Sequence, residues 1–201
     1  MGRFARLINF IRRQGNRSDA RSNPGGGATV DAYHMQPAGD DAHPLPGDDV
    51  ILVEVRRKNN YAAVGYRDPQ NAQSAQPGER RVYARSADGT QVVELFLHND
   101  GQARLANGAG FVDLAPDGTI EGNSGGAIME LQPGGQGEIR NGAGFMRLMP
   151  NGFINLNGLM ISPSGQLTDA NGIELHGHSH TQPNDSDNDV QQRTNTASMA
   201  P

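Results

Sequence analysis

The feature that most constrains the fold of this chain is a repeat of fixed period in its second half. Residues 107–120 and 141–154 align at an offset of 34, and nine of the fourteen positions carry the same residue in both copies. A shorter motif, apolar-x-Pro/Asn-x-Gly, recurs every 17 residues. Copies of it begin at Leu97, Leu114, Leu131, Leu148 and, after a final step of 13, at Ile161. A fixed period indicates one structural unit used several times, and apolar-polar alternation around a Pro-x-Gly turn predicts strand, turn, strand.

These units are poor in core-forming residues. The 201 residues include 27 Gly and 12 Pro, no Trp, and only 35% hydrophobic residues. Glycine lets backbones approach closely, whereas open β repeats would leave long unpaired hydrogen-bonding edges. We therefore expect several identical chains wound together so that each edge finds a neighbour, and three-fold symmetry is the natural choice for a slender rod. The in-register repeat argues against the alternative, a disordered segment.

The first half of the chain predicts two further regions. Residues 1–28 carry six Arg against one Asp and are predicted to form a basic N-terminal arm and linker. The spacing of its apolar residues favours a short amphipathic helix, with a solvated terminus as the alternative. Residues 29–87 predict a small β domain with strands at 49–55 and 61–66. An Asp-Gly turn at 88–89 then predicts a hairpin between residues 81–85 and 91–97.

Composition excludes several classes of protein. No apolar run approaches the length needed to cross a bilayer, and the N-terminus lacks the apolar stretch of a secretory signal. The absence of Cys excludes disulfides and thiolate metal sites. A net charge of −5 gives no reason to expect nucleic acid as a partner.

Three histidines form the strongest candidate site. His176, His178 and His180 occupy alternate positions, so on an extended strand all three imidazoles would share one face. Around a three-fold axis, two from each chain would supply six nitrogens, enough for an octahedral ion. Six imidazoles fit iron(II), nickel or cobalt better than zinc. The alternatives are a polar loop with incidental histidines and a weak tract that binds stray metal.

The order of these features resembles the central spike of contractile-tailed bacteriophages, in the group that includes the short spikes of phages Mu and P2. The resemblance covers residues 31–183, and its matching segments read HPLPGDDV at 43–50, GERRVY at 78–83 and IELHGHSHTQP at 173–183. It implies an all-β chain: an OB-like β-barrel over residues 29–87, an intertwined trimeric β-helix over 88–170, a metal-capped apex over 171–182 and a C-terminal tail over 183–201. His178 and His180 match the family's His-x-His, while the extra His176 leaves a 176/178 pair open.

The resemblance also implies a function. It predicts a homotrimer in the virion, at the tip of the tail baseplate, that contacts the hub and tail-tube proteins. On sheath contraction the spike would pierce the host outer membrane, with an iron ion shared by three chains at its tip. The expected role is structural and not enzymatic.

Other interpretations remain open. The main alternative is a receptor- or glycan-binding trimeric tail fibre or adhesin, which should show exposed aromatic residues. A metal-dependent hydrolase would need a base, and Glu174 is the only nearby acid upstream. Residues 122–126 resemble the nucleophile motif of chymotrypsin-like proteases, but Asn replaces Asp and no paired base is evident. We expect the remaining histidines, at 34, 43 and 98, to be surface or structural residues.

Overall fold

The computed structural model describes residues 2–13, 17–55 and 59–175, and within these ranges the chain is all-β and contains no helix. The chain divides into two compact units. The first comprises residues 1–74 and 83–92, and the second comprises residues 75–82 and 93–201. The all-β prediction is therefore confirmed.

The first unit contains a closed five-stranded barrel. Its strands are β1 (Gly2–Arg13), β2 (Arg17–Asn23), β3 (Val30–His34), β4 (Asp49–Glu54) and β5 (Tyr61–Arg67). Around the barrel the order is β1-β2-β3-β5-β4. The pair β3–β5 is parallel, and the other pairs are antiparallel.

The interior of the barrel is narrow and filled by small and medium side chains. Leu7, Val50 and Leu52 are fully buried, and alanines from four strands complete the packing between them. Small barrels are closed by inward side chains that alternate with outward ones along every strand. The barrel thus builds its own core.

The prediction for the N-terminal segment is wrong. Residues 1–28 are not an arm with an amphipathic helix, because Gly2–Arg13 and Arg17–Asn23 are two barrel strands. Ala5 and Leu7 point inward at the strand period, and an irregularity between Leu7 and Asn9 then brings Phe10 to a buried position. Because the inward positions change from odd to even residue numbers at this irregularity, the spacing of the apolar residues resembles that of a helix. The barrel consequently spans residues 2–67, not 29–87.

The second sheet has eleven strands, which follow one another in sequence order from β6 to β16. Their bounds are β6 Arg80–Arg85, β7 Gln91–Leu97, β8 Ala103–Asn107, β9 Phe111–Leu114, β10 Ile120–Asn123, β11 Ala127–Leu131, β12 Gly137–Asn141, β13 Phe145–Leu148, β14 Ile154–Leu156, β15 Leu159–Ile161 and β16 Leu167–Thr168. Strand, turn, strand is confirmed for the repeats, as is the hairpin at the Asp-Gly turn. Strands β7 to β15 each pair with two neighbours of their own chain, so the expectation that their edges must pair with sister copies is wrong.

The Pro-x-Gly motif forms the hairpin turns. In the copy at residues 114–118 the amide of Gly118 donates to the carbonyl of Ala115 at 2.9 Å, and the amide of Ala115 donates to the carbonyl of Thr119 at 2.8 Å. Gly118 has φ 89°, a left-handed conformation that favours glycine. The pattern is a type I turn closed by a glycine bulge, and it recurs at each copy of the motif.

Candidate functional site

One face of the repeat sheet is built from two continuous rows of aliphatic side chains. In each row every residue is the direct cross-strand partner of the next. The first apolar row is Leu97, Ala103, Leu114, Ile120, Leu131, Gly137, Leu148, Ile154, Ile161 and Leu167. The second apolar row is Leu95, Leu105, Val112, Gly122, Met129, Ile139, Met146, Leu156 and Leu159. No charged or polar side chain interrupts either row, and together they form what we call the apolar face.

The apolar face is largely open to solvent. Leu105, Ile139 and Leu148 each keep 49% of their accessible surface although they lie inside regular strands. In an antiparallel sheet with one buried face, the aliphatic face is normally the buried one. Contiguous exposed apolar surface of this extent marks a contact site.

The two glycines in the rows do not interrupt them. A Cβ built on Gly137 would lie 3.2 Å from a Leu131 methyl and 3.6 Å from a Leu148 methyl, because these neighbours lean over the gap. Met129 covers Gly122 in the same way, with its terminal methyl 3.6 Å from the built Cβ. The apolar surface is therefore continuous along the strands β7 to β16.

The opposite face carries a row of charges. Its members, again direct cross-strand partners, are Phe96, Arg104, Asp113, Glu121, Glu130, Glu138, Arg147, Asn155, Met160 and Thr168. Four consecutive members are acids, and the arginines stand only at the two ends of the acidic run. Arg104 pairs with Asp113 at 3.2 Å and Arg147 with Glu138 at 2.6 Å. This charged row is the solvent-compatible side of the sheet.

Arginines also cover the phenylalanine rings of the charged face. The guanidinium of Arg104 lies 3.9 Å from the centroid of Phe111, and that of Arg147 lies 5.1 Å from the centroid of Phe145. At these distances the cation is attracted to the ring face. The rings are thus engaged by cations of their own chain.

The first unit contains a buried ionic cluster. Arg85 donates two hydrogen bonds to the buried carboxylate of Asp48, at 2.9 and 2.7 Å, and lies 3.2 Å from Asp68. Burial alone would raise the pKa of Asp68. Hydrogen bonds from Asn71, Gln70 and Tyr83 outweigh it and lower that pKa to about 2. Both carboxylates are held by hydrogen bonds from neighbouring residues. We therefore interpret the cluster as one that stabilises the fold.

A cleft of about 490 Å³ lies beside this cluster, and its lining includes His43 and Tyr66. Burial, and secondarily the charge of Asp48, raise the pKa of the Tyr66 phenol. The phenol oxygen lies 2.8 Å from Nδ1 of His34, so the Tyr66 hydroxyl is already bonded within the barrel.

The predicted metal ligands, His176, His178 and His180, lie outside the described residues, and the structure places none of them. The described chain ends at Leu175, whose amide donates to the carbonyl of Leu167 at 2.8 Å. Among residues 2–13, 17–55 and 59–175 no group of three His, Asp or Glu is arranged to hold a metal. Glu174 forms a bridge with Thr168, next to β16.

The other histidines occupy structural positions. His34 contacts Tyr66 and Gln36 through its two ring nitrogens. His98 lies 3.2 Å from Glu79 and stacks on Phe96 at 4.1 Å. His43 lies against the ring of Phe10. All three therefore contact neighbouring side chains of their own chain.

The protease-like motif at residues 122–126 is a hairpin connection. The side chain of Asn123 accepts a hydrogen bond from the amide of Gly125, and the Ser124 hydroxyl donates to the carbonyl of Ala127. Asn107 and Asn141 make the corresponding bonds at the equivalent connections. The motif belongs to the repeat, in which Asn caps the turn.

Sequence reasoning missed the division of the sheet into two faces. The signal was present, because residues 112 and 114 in one repeat unit and 146 and 148 in another are aliphatic, whereas 113 and 147 are charged. Successive side chains of a strand point to opposite faces of the sheet, so alternation within each 17-residue repeat assigns every strand residue to the apolar or the charged face.

No protein-family model matches the chain, and no curated protein does. Among solved structures the chain is similar to the TCP10 domain of Danio rerio CPAP, at 14% identity over 83% of this chain and 97% of that one, with a TM-score of 0.36. It is also similar to the same domain in complex with a peptide of Danio rerio STIL, at 16% identity over 79% and 80% of the two chains, again with a TM-score of 0.36. Scores this low do not bear on the function of this chain.

No helix in the described part of the chain is long and apolar enough to cross a membrane.

Proposed function

We propose that this chain is one of three identical subunits of a central spike at the tip of a contractile tail, which pierces the host outer membrane when the sheath contracts. The observation that carries the proposal is the open apolar face, two aliphatic side chains wide and ten strands long. A surface of this kind is stable in water only when it is covered. Sister copies supply an identical cover.

The dimensions of the face favour three copies over two. The strands β8, β11 and β12 have five residues each and span about 17 Å, and packed sheets lie about 10 Å apart. An equilateral triangle with sides of about 17 Å has its centre about 5 Å from each side, which is half of that spacing. Three such sheets close around a filled core, whereas a sandwich of two would leave both long flanks of a narrow core open. The right-handed twist of each sheet would wind the three copies about the common axis.

The barrel supports the same proposal. Its strand order, β1-β2-β3-β5-β4 with β3 parallel to β5, is the arrangement of a five-stranded Greek-key barrel of the OB kind. The resemblance implies such a barrel at the base of the spike, where hub and tail-tube proteins attach. The HPLPGDDV segment forms the approach to β4 and contributes Asp48 to the buried ionic cluster.

The metal proposal concerns the end of the rod. Two histidines from each of three chains, His178 and His180, would offer six imidazole nitrogens, a donor set suited to an octahedral iron ion. The ion would crosslink three chains where the strands have no further layer to pair with, and so couple metal binding to folding. Leu175, whose amide donates to the carbonyl of Leu167, lies on the same face of the sheet as Leu167.

The proposed action is mechanical. Three sheets that share one core cannot separate one at a time, so unfolding under an axial push requires the concerted loss of many contacts. No catalytic step is part of this function.

A glycan-binding fibre is the second candidate, since it also uses a trimeric β rod. Sugar stacking needs open aromatic faces, yet Arg104 lies over Phe111, Arg147 lies over Phe145, and His98 stacks on Phe96. The covered rings favour the spike.

Native mass spectrometry with elemental analysis tests the proposal. We expect a mass of three chains and about one iron per trimer. The variant His178→Ala/His180→Ala should lose the metal and remain trimeric, while the matched control His176→Ala should keep it. A monomer in solution would overturn the spike, and a monomer with bound zinc would favour a hydrolase. Full iron in the double variant would show that the ligand assignment is wrong.

A further inference from the structure

The barrel carries a second open surface, separate from the apolar face of the sheet. Phe4 and Met35 are the two most exposed large hydrophobic side chains of the described chain, at 80% and 58%. Phe4 lies near the start of β1, where it is the direct cross-strand partner of Ile51 in β4, and the amide of Met35 donates to the carbonyl of Ala63 at 2.9 Å. Both side chains are therefore presented by ordered backbone. Neither belongs to the two apolar rows.

Phe4 borders a groove with a positive rim. The groove has a volume of about 580 Å³, and Phe4 and Ile51, which are direct cross-strand partners, form its apolar wall. Ile51 is in turn paired with Gly65, where the missing side chain leaves a depression. Two residues further along the strands the cross-strand partners are Arg6, Asp49 and Arg67.

The rim has a net positive charge. Asp49 lies 2.9 Å from Arg67 and 3.8 Å from Arg6, so one carboxylate faces two guanidiniums. Both arginine side chains are 64% exposed. A ligand of this groove should therefore combine an apolar side chain with a carboxylate.

The loop that follows β3 has that combination. Met35 is its apolar side chain, and Asp40 and Asp41 are adjacent exposed acids at its far end. The amide of Ala42 donates to the side chain of Gln36 at 2.9 Å, so the loop closes on itself and holds Met35 and the acids in one compact segment. The groove and the loop are thus complementary in both polarity and charge.

The loop of residues 35–41 cannot reach the groove beside Phe4 of its own barrel. Strand β5 lies between β3 and β4, which places Met35 and Ile51 on strands about 10 Å apart. In a closed ring of identical subunits each contact joins two different surfaces, one from each neighbour. A groove and a complementary loop are the two surfaces that such a ring requires.

We propose that the groove beside Phe4 receives the loop of residues 35–41 of a second copy, so that the barrels join head to tail in a closed ring. The number of copies in the ring rests on the proposed function. The contact itself is independent of the apolar face. Arg6 and Arg67 would face Asp40 and Asp41 of the neighbour, and Met35 would cover Phe4 and Ile51.

Cysteine crosslinking tests this contact directly, because the chain contains no Cys. In the variant Met35→Cys/Ile51→Cys, oxidation should give covalent dimers and trimers but no larger species, and reduction should return single chains. Each single variant should give no covalent oligomer, since the contact joins unlike positions. An internal disulfide is excluded by the distance across β5. The matched control is Met35→Cys/Ile8→Cys, because Ile8 is as exposed as Ile51 but does not line the groove.

The outcomes separate this proposal from the previous one. A native trimer in which the double variant fails to crosslink would overturn the head-to-tail ring and leave the spike intact. Efficient crosslinking of a single variant would also overturn it, because the same position of two copies would then be in contact. A second measurement avoids Cys: Asp40→Lys/Asp41→Lys should weaken assembly several-fold at low salt, and combination with Arg6→Glu/Arg67→Glu should restore it. Failure of the combination to restore assembly would count against the contact.

Discussion

Leu52 and Ala63 of the barrel lose all of their accessible surface within one chain, whereas Ile139 and Leu148 of the repeat sheet keep about half of theirs. Both regions are β structures, antiparallel except for the β3–β5 pair of the barrel, with aliphatic side chains on alternate positions. The barrel closes on itself, so its inner face has no exit to solvent. The sheet has a single layer and leaves its inner face open. The same local pattern therefore yields a self-sufficient unit in one region and an interface in the other.

The two regions also differ in where they place their charged side chains. In the first unit the carboxylate of Asp48 is buried and accepts two hydrogen bonds from Arg85. A buried charge is stable only when such a partner is correctly placed. The sheet displays its acids in a row on the face turned away from the aliphatic side chains. Charge is a component of the core in the first unit, whereas in the sheet it lies on the face opposite the aliphatic rows, where Asp113 and Glu138 are half-buried or more and are paired with arginines.

The largest expected effect breaks the sheet and spares the barrel. Ile139→Asp places a carboxylate in the middle of the second apolar row. In the assembled molecule it would cost about 3–5 kcal/mol per chain, because an unpaired charge enters a shared core. We expect the trimer to dissociate and sheet structure to be lost in far-ultraviolet circular dichroism. All four tyrosines lie in the first unit, so tyrosine fluorescence should remain that of a folded barrel.

The control for this variant is Ile128→Asp. Ile128 lies on the neighbouring strand β11 and on the charged face, where it is paired with Arg140. The change removes the same β-branched side chain and adds the same charge, yet the trimer should persist. Equal damage from both variants would show that the two faces do not differ, and the shared core would have to be abandoned.

A smaller effect is expected from breaking the buried ionic cluster of the first unit. Arg85→Leu leaves Asp48 buried without its cation and should cost about 3 kcal/mol. The loss should appear in tyrosine fluorescence during urea unfolding, with no dependence on protein concentration, since the barrel core belongs to one chain. Arg80→Leu, at an exposed position of the same strand, should change little.

Acid should weaken the barrel through Asp68. Its pKa in the folded chain is about 2, below the ordinary value of 3.8, so its hydrogen bonds stabilise the fold fully above about pH 4. This stabilisation should be lost as the pH falls from about 4 toward 2, when the carboxylate becomes protonated in the folded state. Asp68→Asn should be less stable at neutral pH and should flatten that fall. An unchanged acid profile in Asp68→Asn would contradict the assignment.

The repeat sheet was largely predictable because its signals are local. In every copy of the repeat motif the turn is specified by a Pro or Asn followed two residues later by a Gly that adopts positive φ, as at Gly118 and Gly152. The strands follow from the alternation between these turns. Their pairing partners are then the adjacent strands, and no long-range information is needed. The sequence argument erred in requiring sister chains for hydrogen bonding, because a meander occupies the edges of its inner strands by itself.

The barrel was harder to predict because its first strand depends on distant partners. Gly2 pairs with Val53 and Arg6 with Asp49, more than forty residues away. Residues 3–13 contain no Gly or Pro that would oppose a helix, and the irregularity after Leu7 disguises the strand period. The basic composition of the segment also suggested a solvated arm. Long-range pairing overrode a local pattern, as is common for strands.

For the candidate site, the sequence contained the apolar alternation but not its exposure. Whether Ile139 is covered depends on other molecules and not on residues nearby in the chain. The resemblance to phage spikes led to three-fold assembly by a different route, and it remains a prediction. So do the roles of His178 and His180, which lie beyond Leu175 and outside the described residues.

The smallest expected effect sharpens the charge comparison. Glu121→Lys replaces the second of four consecutive acids in the charged row, so the new cation faces Asp113 on one side and Glu130 on the other. Two unfavourable cross-strand pairs become favourable, each worth about 0.2–1 kcal/mol. The thermal midpoint of the sheet should rise, followed by circular dichroism at fixed protein concentration. Glu121→Gln, which removes the repulsion without adding attraction, should give an intermediate rise. The advantage of Lys over Gln should shrink in high salt, because exposed charges are screened. If Lys proves no better than Gln at low salt, the charged row is not an exposed electrostatic unit, and the contrast with the buried Asp48–Arg85 pair loses its basis.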